Sequence, residues 1–192
     1  MSDPHEVEPG LFIRGFTPPL TLAAYKLVAF DMDSTLINIE CIDEIAEVVG
    51  RKAEVAAITE AAMRGDIVDY RLSLHRRLAL LRGVPLSALE SVYTRHLQLN
   101  PGVETFVQAC RAAGLKTLLI SGGFTFFSER IRRRLQLDFA RANELDVVDG
   151  HLTGALVPRP WGDVVDGAEK RRVLLEVAEL MGIPPAQTIA VG

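Results

Sequence analysis

The chain has 192 residues, 48% of them hydrophobic and 24% charged, which suits one globular domain with a sizeable insert or a core with a small second lobe. A formal charge of −4 argues against nucleic acid or an anionic membrane surface as the main partner. The basic cluster Arg130, Arg132, Arg133 and Arg134 is read as the solvated face of a helix whose Ile131 and Leu135 point inward. Cys41 and Cys110 lie in apolar helical patterns, so no disulfide framework is expected and a reducing compartment is the default. The acidic, polar start MSDPHEVEPG is not a signal peptide, and no stretch approaches the roughly 18 apolar residues of a membrane span. A soluble, cytoplasmic protein of unknown oligomeric state is expected.

In chain order, residues 1–25 carry four prolines and are expected to form an irregular lead-in. Residues 26–30 (KLVAF) form a short apolar run ending at Asp31, as in a strand of a parallel sheet covered on both faces. The period then becomes helical: Ile42, Ile45, Ala46, Val48 and Val49 repeat at helical spacing, and Gly50 closes that helix. Further helices are predicted over 52–63, 69–82 and 87–98. In the second of these Tyr70, Leu74, Leu78 and Leu81 make one stripe, and Ser87 with Glu90 suggests a capping box for the last. A helix follows Pro101-Gly102 up to Gly114. Residues 116–121 (KTLLIS) give a second buried strand, then Gly122-Gly123 and a helix from about Phe124. Residues 145–157 alternate around Asp149-Gly150, a two-residue hairpin signal. A helix over about 168–181 leads into a third strand at 188–191. Strands alternating with helices imply an α/β fold with a mainly parallel sheet, in which ligands bind beyond the carboxyl ends of the strands. Asp31 and Ser121 both occupy such ends.

The residues there carry chemistry. Asp31 and Asp33, two positions apart, can serve a hard cation that wants oxygen ligands, or can divide the roles of nucleophile and acid. Ser121 offers a hydroxyl, Gly122 allows backbone N–H groups to approach a phosphate, and the helix that follows adds partial positive charge.

The run Phe30-Asp31-Met32-Asp33-Ser34-Thr35-Leu36 resembles the first motif of the haloacid dehalogenase superfamily of phosphohydrolases. Ser121-Gly122-Gly123-Phe124 resembles the second motif as phosphoserine phosphatases carry it, and Lys170 the third. Met63-Arg64-Gly65, Ser73-Leu74 and Ala142-Asn143-Glu144-Leu145 also resemble that branch. The resemblance implies a Rossmann-like core at 26–37 and 101–192 and a helical-bundle cap over 38–100, inserted after the first strand. It further implies Mg²⁺ as cofactor and a small phosphomonoester, O-phospho-L-serine, as substrate.

By the same resemblance Asp31 is the nucleophile that forms an aspartyl-phosphate, Asp33 the general acid and Lys170 the screening cation. Asp31 and the carbonyl of Asp33 become metal positions. Glu40, nine residues after Asp31, becomes the partner of the substrate ammonium. An arginine fork is suited to the substrate carboxylate. The implied position is Arg77, but the segment between Gly65 and Ser73 is one residue longer than the usual pattern, which leaves Arg76 and His75 as alternatives. Met63 and Tyr70 become cap residues that enclose the substrate, with plain helical core as the other reading. The resemblance also implies a closing Gly-Asp-Gly-x-x-x-Asp segment, whereas the sequence ends at Ala190-Val191-Gly192. A further metal ligand beyond Gly192 is therefore expected, with weak metal binding and slow turnover by these 192 residues alone. A phosphatase of another small metabolite and a non-catalytic module remain as alternatives.

Overall fold

A computed structural model describes residues 3–15, 19, 21–162 and 164–192, apart from the side chain of Met63. Its centre is a parallel sheet of four strands: β3 (Leu27–Phe30), β4 (Lys116–Phe124), β5 (Phe139–Asn143) and β8 (Thr188–Val191), in the order β5-β4-β3-β8. All of β3 is buried, and its side chains alternate between two apolar layers, Val28 and Phe30 on one face, Leu27 and Ala29 on the other. That double burial is why the run KLVAF lacks polar alternation. The first layer is extensive. The second is made with Leu118, Ile120, Val165, Val173 and Ala178.

The chain winds outward from β3 to β4 and β5, then returns to place β8 on the far side of β3. The winding therefore reverses at β3, and the crevice beyond its carboxyl end is where such sheets bind ligands. The helices flanking this sheet are α5 (Val103–Ala112), α6 (Thr125–Leu135) and α7 (Gly167–Leu180). Between β3 and α5 lie α1 (Cys41–Val48), α2 (Lys52–Met63), α3 (Tyr70–Leu80), α4 (Leu86–Ser91) and a π-helical turn, Val92–His96. The two chain crossings that bound this helical block are laced together. Asn38 N–H reaches Gln98 O, Gln98 N–H reaches Asn38 Oδ1, and Asn100 Nδ2 donates to the carbonyls of Thr35 and Ile37.

Two expectations need correction. The described part of residues 1–25 is not wholly irregular: β1 (His5–Glu8) and β2 (Leu11–Ile13) pair as an antiparallel hairpin, and Leu22–Ala24 form a 3₁₀ turn. Pro4 and Pro9 stand just outside the paired strands, so they do not interrupt the ladder. The helix expected at 87–98 starts at Leu86 and changes to π geometry after Ser91. Pro85 is its N-cap, so Ser87 and Glu90 form no capping box. The Leu86 N–H is satisfied instead by Gly150 O, across the chain. The segment FARAN, for which the sequence reading names no element, forms β5.

The hairpin does form, with β6 (Leu145–Val148) antiparallel to β7 (His151–Leu156). Asp149 and Gly150 both take positive φ (49° and 76°), as a two-residue turn of the primed type requires. Cys41 and Cys110 are buried and free. Three arginines of α6 are paired: Arg130 with Glu90, Arg132 with Glu129 and Arg134 with Glu104. Among the described residues, no helix is long and apolar enough to cross a membrane.

Candidate active site

Asp31 is the first residue past β3. Its N–H continues the ladder to Val191 O at 2.9 Å, so the backbone is fixed by the sheet. Its carboxylate is held at both ends: Oδ1 accepts from Met32 N–H at 2.8 Å, and Oδ2 accepts from Lys170 Nζ at 2.5 Å. Lys170 reaches it from the first turn of α7. That helix is fixed at its start because the Asp166 side chain caps it, accepting from Glu169 N–H at 2.8 Å. Both partners are about one-third exposed, 34% for Lys170 and 30% for Asp31. The pair is thus open to a small ligand yet shielded enough to interact strongly.

Asp33 has a different environment. Its Oδ1 is fully buried and has no hydrogen-bond partner among the described residues. Burial pushes the carboxyl up to about 7; the Cys41 thiol and N–H oppose the rise, and Glu40 and Asp31 add to it. Two carboxyl groups two residues apart are therefore held differently, one in an ion pair and one desolvated. Such a contrast suits separate nucleophile and acid roles.

The tip of β4 completes this wall. Ser121 is fully buried, and its Oγ accepts from Gly123 N–H at 2.8 Å, so that N–H already has a partner within the loop. A Cβ on Gly123 would stand 2.7 Å from Asp33 Oδ2 and 2.9 Å from Met32 Cε. One on Gly122 would stand 2.6 Å from the Tyr70 hydroxyl. A side chain at either position would displace these groups of the site.

A residue whose part the sequence did not reveal is Asn143, buried at the end of β5. Its Nδ2 donates to Gly122 O and its Oδ1 accepts from Val165 N–H, each at 2.7 Å. It clamps the glycine loop to the segment that leads into α7. Asparagine at a strand end reads locally as a turn residue, so only the tertiary contacts expose this role.

Across a cavity of about 240 Å³ stand residues of the helical block and its entry: Glu40, Ile42, Tyr70, Leu74 and Arg77. Asp31, Asp33, Ser121, Gly122 and Lys170 line the facing side. Of the three candidates for a carboxylate-reading cation, Arg77 lines the cavity, whereas Arg76 is exposed and neither it nor His75 is among the lining residues. Arg77 Nε is buried with no hydrogen-bond partner among the described residues. Tyr70 is 44% exposed as a residue even though its hydroxyl reaches Gly122, so it is not plain core; the rest of its stripe, Leu74, Leu78 and Leu81, is buried. Met63 ends α2, and its side chain lies outside the described residues.

Among the described residues no group of three or more His, Cys, Asp or Glu side chains forms a metal cage. Asp31 and Asp33 both bring oxygen donors to the lining of the cavity. That fits in kind a Mg²⁺ ion bound by one or two carboxylate residues and completed by phosphate and water.

A sequence model of haloacid dehalogenase-like hydrolases matches residues 28–192. A phosphoserine phosphatase of Albidiferax ferrireducens is 59% identical over 189 residues, spanning 98% of this chain and 80% of that relative. One from Idiomarina loihiensis is 51% identical over 166 residues, spanning 86% and 73%. Among solved structures, a phospho-aspartyl intermediate analogue of phosphoserine phosphatase superposes with a TM-score of 0.78 at 37% identity, covering 86% of this chain and 77% of the other. A substrate-bound phosphoserine phosphatase complex also gives 0.78, at 36% identity, covering 86% and 76%. The parallel sheet, the carboxylate pair beyond its central strand and these matches agree: the chain belongs to the family of haloacid dehalogenase-like hydrolases.

Proposed function

We propose that this protein hydrolyses O-phospho-L-serine to L-serine and phosphate, in the cytoplasm, through a phosphoryl-enzyme on Asp31. The observation that carries this reading is a division of the cavity. Asp31, Asp33, Ser121 and Lys170 face a phosphoryl group from one side, while an anion, Glu40, and a cation, Arg77, line the other. A zwitterionic amino acid with a phosphate at its far end has that charge order.

In the first step an Asp31 carboxylate oxygen attacks phosphorus and the bond to the serine oxygen breaks. Asp33, whose carboxyl burial pushes up to about 7, gives its proton to the departing oxygen, which as an alkoxide would otherwise leave poorly. In the second step water attacks the same phosphorus and loses a proton to the Asp33 carboxylate. The bond from phosphorus to Asp31 then breaks, releasing phosphate and restoring both carboxyl groups. Lys170 and the Ser121 hydroxyl neutralise charge on the phosphoryl oxygens, and fixed donors of this kind are worth far more in a partly dry site than in water. Mg²⁺, held by Asp31 and the Asp33 carbonyl, would supply further neutralisation of the phosphoryl charge. The helices between residues 38 and 100 act as a cap, with Tyr70 excluding water over the bound substrate.

Asp31→Asn tests the reading. It should abolish magnesium-dependent phosphate release from phosphoserine, by about 10³-fold or more, while circular dichroism stays native. Retained turnover would refute it.

A further inference from the structure

Three non-glycine residues adopt positive φ among those described: Ser34, Gln136 and Asp149. Gln136 caps α6 and Asp149 turns a hairpin, both ordinary places for that conformation. Ser34, at φ 55°, has no such excuse. It sits in a tightly wound loop directly after Asp33. Met32 O accepts from the N–H groups of Thr35, Leu36 and Ile37, and Ser34 N–H donates to Ile39 O at 3.2 Å. A left-handed serine held by so many surrounding bonds is a strained conformation that the fold imposes.

The consequence lies at its side chain. Ser34 Oγ donates to Glu40 Oε1 at 2.6 Å, a short, charge-assisted bond. Glu40 is the N-cap residue of α1, yet its carboxylate makes no capping bond to the helix. It is also exposed, so without Ser34 it would sample many rotamers at the rim of the cavity.

We propose that Ser34 is a specificity-determining positioning residue: its hydroxyl fixes one oxygen of Glu40 and so presents the carboxylate to the ammonium group of the substrate. This rests on the reading of Glu40 given above. Its effect is preorganisation, which lowers the cost of ordering that side chain when substrate arrives.

The test compares kcat/KM on O-phospho-L-serine with kcat/KM on O-phospho-3-hydroxypropanoate, which lacks only the amino group. The ratio cancels any loss shared by both substrates. Ser34→Ala and Ser34→Gly should each lower the ratio by roughly 5- to 20-fold, chiefly through KM for phosphoserine, as expected for a lost charge-assisted bond. Glycine accepts φ 55° without strain, so Ser34→Gly keeps the loop and removes only the hydroxyl. An unchanged ratio in both variants, or a ratio restored in Ser34→Gly alone, would overturn the proposal and leave only a backbone role. Glu40→Gln separates the two layers. If it lowers the ratio while the Ser34 variants do not, the reading of Glu40 stands and that of Ser34 falls. If Glu40→Gln leaves the ratio unchanged, the assignment of Glu40 fails first and takes the proposal with it.

Discussion

The two walls of the cavity are built by different physics. On the sheet side, Asp31 is fixed by a ladder bond and by two bonds to its carboxylate, while Ser121 is buried and Asn143 clamps the glycine loop. On the helical side, Tyr70 is 44% exposed, Arg77 Nε has no hydrogen-bond partner among the described residues, and Glu40 is held by an exposed bond to Ser34. A bridge from α3 to α7, Arg71 Nε to Asp166 Oδ2 at 3.2 Å, joins the walls through side chains that are 45% and 23% exposed. On the proposed reading, chemistry falls to the preorganised wall and recognition to the less tightly bonded one. Stabilising developing charge needs fixed groups, whereas admitting and releasing a ligand needs a surface that can move.

The comparison can be broken most forcefully at Asp33. Asp33→Asn should cut turnover of phosphoserine by about 10²- to 10³-fold, because the departing alkoxide goes unprotonated. On an aryl phosphate with a good leaving group, the loss in the first step should be about tenfold or less. Equal losses, measured as single-turnover rates, would remove Asp33 from the role of acid. A smaller effect is expected across the cavity. Arg77→Ala should weaken kcat/KM for phosphoserine by about 10- to 100-fold, with little change on an aryl phosphate that lacks a carboxylate. Matching losses on both would make Arg77 a structural residue.

Stability gives the smallest contrast. Burial alone would raise the Asp138 carboxyl, but bonds from Lys116 Nζ and from Thr117 N–H and Oγ override it and hold the group below its usual range. A carboxyl depressed in the folded state contributes stability above its unfolded pKa and loses it as pH falls through the folded value. Asp138→Asn, which unpins the joint between β4 and β5, should cost about 1–2 kcal/mol at neutral pH in urea titration, and the gap should shrink below about pH 4. Arg71→Ala, at the exposed bridge, should cost less than about 1 kcal/mol and that cost should fall further with added salt. If the bridge proved the costlier loss, the helical wall would be the rigid one.

The same contrast explains what the sequence made legible. β3 was readable because burial on both faces leaves an unbroken apolar run, and the helices of the block because their buried faces repeat. The Asp149-Gly150 hairpin followed from turn chemistry alone. β5 was not legible: Arg141 and Asn143 interrupt the apolar residues of FARAN, and its strand character comes from parallel pairing with β4 and from the burial of Asn143. The N-terminal hairpin was hidden because its prolines flank the strands. At the site, the motif residues converge on one cavity, and the choice of Arg77 over its neighbours comes from the rotation of α3, which no local pattern fixes to one residue. Ser34 was visible only as part of a motif, since a positive φ leaves no mark when the residue is not glycine.

The central claim is that phosphorus becomes bonded to Asp31. The most direct measurement is mass spectrometry of the peptide containing residues 26–36 after acid quenching of the protein during turnover of phosphoserine with magnesium. The account predicts one added phosphoryl group, localised to Asp31 and absent in Asp31→Asn. A phosphoryl group found on any other residue, or steady turnover with no labelled carboxylate at any quench time, would contradict it.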